Sequence, residues 1–177
     1  MKILVTGGIG FIGSHVCKHL LEQGNQIFCL DCQPLDEKPH VKQFLNHPNL
    51  EFIHHDVIDP IDIAVDQIYH LACPASPVRY KKDPIKTLQT AVWGTKNMLD
   101  LATKRRIPIL HASTSEIYGH PLNHPQSEND WGHVNCIGLQ SCYKEGKRAA
   151  ESLCMDYYRL YGTPIKIVRI FNTYGPY

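Results

Sequence analysis

Short runs rich in Ile, Leu and Val alternate along the chain with segments whose apolar residues recur every three or four positions. The runs predict strands buried on both faces. They fall at Lys2–Thr6, Gln26–Asp31, Leu50–His54, 67–71, 107–112 and Ile165–Ile170. The periodic segments predict helices. From Ser14 to Gln23, the pairs Val16/Leu20 and Cys17/Leu21 share a face, and Gly24 stops the helix. Asp83 and Pro84 read as the cap and first residue of a second helix. Its stripe runs through Leu88, Val92, Thr95, Met98, Leu99 and Ala102, and Lys104, Arg105 and Arg106 sit at the negative end of its dipole. Trp93 and Met98 are expected in packing, either in the core or between subunits. A third helix covers Ser141–Tyr161, with Gly162 and Pro164 ending it. Two stretches, 40–48 and 119–138, predict no regular structure.

Strands joined by crossover helices predict an α/β fold. Right-handed crossovers favour a Rossmann-like, doubly wound parallel sheet of about six strands, with helices on both faces. The irregular 119–138 stretch follows the end of a strand, the edge at which open α/β sheets bind ligands. It is a candidate substrate loop.

Length and charge narrow the picture. The 177 residues suit one domain, 1–177. The chain is 43% apolar, enough for a true core. Its net charge of +1 implies no nucleic-acid partner, and no apolar run long enough to span a membrane occurs. Seven cysteines without framework spacing fit a reducing compartment, with the cytoplasm as the expected location.

Chemistry enters at Thr6-Gly7-Gly8-Ile9-Gly10-Phe11-Ile12-Gly13, between the first strand and the first helix. Gly7 and Gly10 let the backbone turn tightly and approach a pyrophosphate, and Gly13 lets helix and strand pack closely. The helix N-terminus then offers N–H groups to phosphate. Asp31 closes the second strand, 18 residues beyond Gly13. A carboxylate there accepts a ribose 2′-hydroxyl and repels a 2′-phosphate. Residues 31–34 contain no Arg, so NAD is favoured over NADP. Asp56 and Val57, after the third strand, are placed to touch the adenine.

Tyr143 and Lys147 stand four apart on one helix face. An ammonium near a phenol lowers the Tyr pKa, which makes Tyr143 an acid/base for a sugar hydroxyl or ketone. Lys147 is also in reach of a nicotinamide ribose. Ser113, Thr114, Ser115 and Glu116 arrive at the same sheet edge, bringing a hydroxyl and a carboxylate. Cys29-x-x-Cys32 has redox spacing but spans the end of a strand, away from a helix start that would stabilise a thiolate. His15 and His19 share a helix face without a third ligand at recognisable spacing, so no metal is expected.

These residues resemble the extended short-chain dehydrogenase/reductases, and within them the UDP-glucuronate decarboxylases (UDP-xylose synthases). The specific matches are Pro74-Ala75-Ser76-Pro77 and Trp131-Gly132-His133-Val134-Asn135. Further matches lie in 6–14, 54–57, 66–71, 83–88, 112–119, 124–128, 142–148 and 169–176. The resemblance implies NAD as cofactor, held by Gly7, Gly10, Phe11, Ile12, Gly13, Asp31, Asp56, Val57, Leu71, Tyr143 and Lys147. It implies a catalytic set of Thr114, Glu116, Tyr143 and Lys147, and a UDP-sugar, UDP-glucuronate, contacted by Tyr80, Ser115, Glu116 and Asn172. The implied reaction oxidises C4, loses CO₂ and reduces C4 again. The resemblance also implies dimers, homodimeric or mixed, through helices near 88–105 and 141–161. The C-terminal part that covers the sugar nucleotide in such enzymes is missing from these 177 residues. A non-catalytic NAD-binding module, or a partner subunit of a longer homologue, is the alternative. A dTDP-glucose 4,6-dehydratase, disfavoured by Ser115, and a UDP-sugar 4-epimerase are nearer rivals.

Overall fold

The computed structural model describes residues 1–35 and 41–176. Along β1 (Lys2–Thr6) and β2 (Gln26–Asp31), successive side chains enter two different cores. Ile3, Val5, Ile27 and Cys29 pack with Cys17, Leu20 and Leu21 of α1 (Phe11–Glu22), and with Val41 and Phe44 around α2 (Lys42–Leu45). Leu4, Phe28 and Leu30 face the other way, toward Met98, Leu99 and Ala102 of α5 (Thr95–Arg105). Full burial of each such aliphatic side chain contributes about 1.5–3 kcal/mol.

Four further strands complete the sheet: β3 (Leu50–His54), β4 (Gln67–His70), β5 (Ile109–Thr114) and β6 (Ile165–Ile170). All pairings are parallel, in the order β3-β2-β1-β4-β5-β6. This doubly wound order is the Rossmann-like fold that the alternating pattern predicts. After β4 come α3 (Pro77–Lys82), α4 (Pro84–Gln89) and α5, and α6 (Ser141–Tyr161) precedes β6. Asp83 caps α4 as expected, its carboxylate accepting the Lys86 N–H at 2.9 Å. Among the described residues, no helix is long and apolar enough to cross a membrane.

Several expected boundaries move. The fifth strand is not 107–112 but Ile109–Thr114. Arg106 adopts a left-handed conformation to end α5, and Ile107 N–H bonds back to the Ala102 carbonyl, so the strand starts late. Thr114 is therefore its last residue. β4 stops at His70 rather than Leu71, and α1 begins at Phe11 rather than Ser14 because Gly10 is already its cap. The expected continuous helix to Arg105 holds a π-helical turn at Thr90–Gly94. Its larger number of residues per turn rotates the stripe. Met98 is buried as expected, but Trp93 is 52% exposed and no part of the core. The 40–48 stretch contains α2, while His40 lies outside the described residues.

A buried polar chain joins β1, β4 and α5. Thr95 donates its hydroxyl to the Ala91 carbonyl at 2.6 Å, which leaves it an acceptor for His70 Nε2–H at 3.2 Å. His70 Nδ1 is then bare and accepts the Thr6 hydroxyl at 2.7 Å, and Ala72 N–H donates to Thr6 Oγ1 at 3.3 Å. Burial pushes His70 down to about 3. Beside it lies His111, with ring centroids 5.5 Å apart. It is fully buried, with neither ring nitrogen partnered among the described residues. Burial, then the Lys147 and His70 charges, holds its pKa well below the ordinary value.

Both folded pKa values are depressed. Their stabilising contribution is therefore complete above the ordinary His value of about 6.5. It is lost as pH falls from there toward 3. Urea denaturation at pH 7 and pH 5.5 is expected to show a loss of about 2–3 kcal/mol, divided between the two histidines. His111→Leu should shrink that loss and add about 1 kcal/mol at pH 7, by removing an unsatisfied buried ring. An unchanged pH dependence in the variant contradicts this account.

Candidate functional site

The C-terminal ends of the central strands open onto a cleft of about 1010 Å³. A second cavity, about 650 Å³, lies at the opposite edge among Met1, Lys2, Asp66 and Arg105 and holds none of the expected site residues.

One wall of the cleft is the glycine loop. Gly7 has φ +69°, a conformation that L side chains rarely adopt. Its carbonyl accepts Gly10 N–H at 3.0 Å. A Cβ on Gly13 would stand 2.1 Å from that same carbonyl oxygen, so only glycine lets α1 start this close to the loop. Among the described residues no side chain caps α1, and its first turn is without acidic residues, which leaves its leading N–H groups for an anion. Asp31 closes the loop from β2: its carboxylate accepts Gln33 N–H at 3.0 Å and Ile9 N–H at 3.4 Å.

The opposite wall comes from β5 and α6. Lys147 is buried, and its ammonium donates to the Ala112 carbonyl at 2.7 Å. Tyr143 stacks face to face on Tyr80, with centroids 5.1 Å apart and planes within 3°. The expected lowering of the Tyr143 pKa is corrected here. Burial raises it to about 12, the Cys73, Glu116 and Tyr80 groups add to the rise, and only the Thr114 hydrogen bond pulls it down. One donor of the Lys147 ammonium is taken by the Ala112 carbonyl, and the Tyr80 ring covers one face of the phenol. Thr114 also accepts Glu116 N–H at 3.2 Å, and the Glu116 carboxylate pairs with Lys144 at 3.0 Å.

The cleft gathers Gly7, Gly10, Phe11, Ile12, Gly13, Asp31, Asp56, Val57, Leu71, Tyr80, Thr114, Glu116, Tyr143, Lys147 and Asn172. Ser115 is not part of its lining. Asp56 is engaged by Lys86 at 2.5 Å. The sequence reading missed several wall residues: His55, Cys73, Arg79, Lys86 and Thr90. Arg79 reaches Gln33 at 3.2 Å, so a cation does stand beside the Asp31 segment, delivered from α3 rather than from β2. Its signal was the position of the Pro74–Pro77 loop directly after a strand end. Two arginines pin the 119–138 loop: Arg148 donates to the Trp131 carbonyl at 2.7 Å and Arg169 to the Glu128 carbonyl at 3.0 Å.

The glycine geometry gives a direct expectation. Gly13→Ala should cost about 1–3 kcal/mol by forcing α1 off the Gly7 carbonyl. Gly10→Ala, whose nearest contact is 3.1 Å, should cost clearly less. Thermal and urea unfolding of the two variants measure the difference, and equal losses contradict it.

Comparison with known proteins follows the same lines. UDP-glucuronic acid decarboxylase 6 of Arabidopsis thaliana is 55% identical over 177 residues, covering 99% of this chain and 52% of that protein. The chain thus spans about half the length of the curated relatives it matches. A dTDP-glucose 4,6-dehydratase of Streptomyces venezuelae, solved with NAD and TYD bound, superposes with a TM-score of 0.86 at 29% identity. That match covers 100% of this chain and 57% of the other. A UDP-glucuronic acid 4-epimerase of Bacillus cereus, in complex with UDP-glucuronic acid and NAD, gives 0.85 at 31% identity, over 99% of this chain and 58% of the other. The family model for GDP-mannose 4,6 dehydratase matches residues 4–177, and the chain belongs to that family.

Proposed function

We propose that residues 1–177 form one NAD-binding domain of a nucleotide-sugar enzyme, a UDP-glucuronate decarboxylase. The 55% identity to a UDP-glucuronic acid decarboxylase across the chain carries this reading. The cleft fits the cofactor: a glycine cradle that a Cβ would fill, and Asp31 placed for the ribose 2′-hydroxyl. Gly7, Gly10, Phe11, Ile12 and Gly13 would hold the pyrophosphate, Asp56, Val57 and Leu71 the adenosine side, and Lys147 the nicotinamide ribose. NAD, when bound, supplies reversible hydride transfer at the sugar C4.

The chain's own residues handle protons and position. Tyr143, on the cleft wall, would exchange a proton with the C4 hydroxyl. At about 12 the phenol is protonated, ready to donate, and taking a proton requires its pKa to fall. The Thr114 hydrogen bond already acts in that direction. Tyr80 fixes the plane of the phenol by stacking. Glu116, Tyr80 and Asn172, which line the cleft, are proposed to contact the sugar or its diphosphate. The 4-keto uronate is a β-keto acid and loses CO₂ readily.

The cytoplasm suits the seven free thiols of the chain. Self-assembly, as a homodimer or with a longer relative, is proposed through α4–α5 and α6, where Leu88, Trp93, Met155 and Tyr158 are exposed.

Calorimetry tests the reading. NAD is expected to bind, and UDP-glucuronate to bind saturably in its presence. Tyr143→Phe should keep NAD affinity and lower UDP-xylose formation by about 10²–10⁴-fold. Binding of NAD without UDP-glucuronate would make the chain a nucleotide-binding module, and failure to bind NAD removes the enzyme reading. In sedimentation, Trp93→Glu is expected to shift the protein toward monomer, and an unchanged mass rejects the proposed assembly surface.

A further inference from the structure

Two thiols meet beneath the glycine loop. Cys17 of α1 and Cys29 of β2 are fully buried in one apolar cluster. A Cβ on Gly8 would point at both, 2.5 Å from Cys29 Sγ and 3.3 Å from Cys17 Sγ. The two sulfurs thus face one point beneath Gly8. Cys17 Sγ also donates to the Gly8 carbonyl at 3.8 Å. Gly8 therefore rests on a pair of sulfurs contributed by two different elements. The Cys29-x-x-Cys32 spacing points elsewhere, but Cys32 is exposed beyond the end of β2 while Cys29 is inside.

We propose that Cys17 and Cys29 are a reversible disulfide site whose oxidation unseats the nucleotide-binding loop. The oxidant is a small-molecule disulfide of the glutathione class. One cysteine, as thiolate, attacks a sulfur of that disulfide and expels the first small thiolate, leaving a mixed disulfide. The second cysteine attacks the protein-side sulfur and expels the second. The chain loses two electrons and two protons, and the small disulfide is reduced to two thiols. The neighbouring Cys29 thiol and burial push the Cys17 thiol up, so it is protonated at rest. Attack therefore waits for the start of α1 to open, and a ligand seated on the loop slows it.

The bond draws the two sulfurs to about 2.05 Å. The Gly8 carbonyl loses its S–H donor, and the sulfurs that sit under Gly8 move, so the loop above them must shift. Loop N–H groups aimed at an anion lose alignment, which should weaken a dinucleotide by about tenfold. That effect on affinity rests on the NAD reading; the disulfide does not.

The test incubates the chain with glutathione disulfide, with and without NAD, then alkylates, digests with trypsin and maps it unreduced. Cys17 falls on peptide 3–18, and Cys29 with Cys32 on peptide 19–42. Expected are the two peptides linked, fragmentation placing the link at Cys29, and slower linkage with NAD present. The link should vanish in Cys29→Ala, checked for folding by circular dichroism, and persist in Cys32→Ala. NAD affinity should fall about tenfold on oxidation and return with dithiothreitol. A bond within peptide 19–42, or no link in the wild-type chain, overturns the site. A link that leaves NAD affinity unchanged overturns its regulatory role. If the reduced chain fails to bind NAD, the cofactor reading falls while the peptide map still decides the disulfide.

Discussion

One close approach governs the cleft: the start of α1 against the Gly7 carbonyl. The helix can begin there only because position 13 has no side chain. That contact turns the leading N–H groups of α1 toward the space above the sheet, with no side chain to occupy them. The β1 end, the Asp31 carboxylate and the glycine loop are then joined by hydrogen bonds into one rim. Moving the helix outward by one methyl group would disconnect this rim from the strand ends that carry the rest of the site.

The middle of the sheet is fixed by different physics. There, polar groups are buried in the core and aligned by obligatory donor and acceptor roles. Thr95, His70, Thr6 and Ala72 form a chain in which each proton has one direction available. That chain ties the end of β1 to α5 through β4. Next to it, His111 occupies the same layer without comparable partners among the described residues. Two histidines in register on adjacent strands therefore differ in what they contribute. One specifies the geometry and the other weakens it.

The fold was largely legible because apolar runs and helical stripes answer to periodicity alone. The two-face alternation of β1 and β2 is readable in Ile3, Leu4 and Val5. The glycine spacing was legible for the same reason, since its constraint is local backbone geometry. What escaped the sequence depended on distant partners. The late start of β5 follows from Arg106 ending α5. The exposure of Trp93 follows from a π-helical turn that no periodicity announces. The raised Tyr143 pKa follows from burial, to which Tyr80, far away in the chain, contributes by stacking on the phenol. Spacing of four on a helix places Tyr143 and Lys147 side by side without saying which of them the other will serve.

That carbonyl bond has a further consequence. An ammonium carries three donors, and the bond from Lys147 to Ala112 uses one. The lysine is buried at the cleft wall, so the others look to whatever enters. A visitor rich in lone pairs satisfies them, whereas an apolar one strands a charge in a dry place. The cleft thus sorts its visitors by how many acceptors they bring, before any catalytic group acts on them.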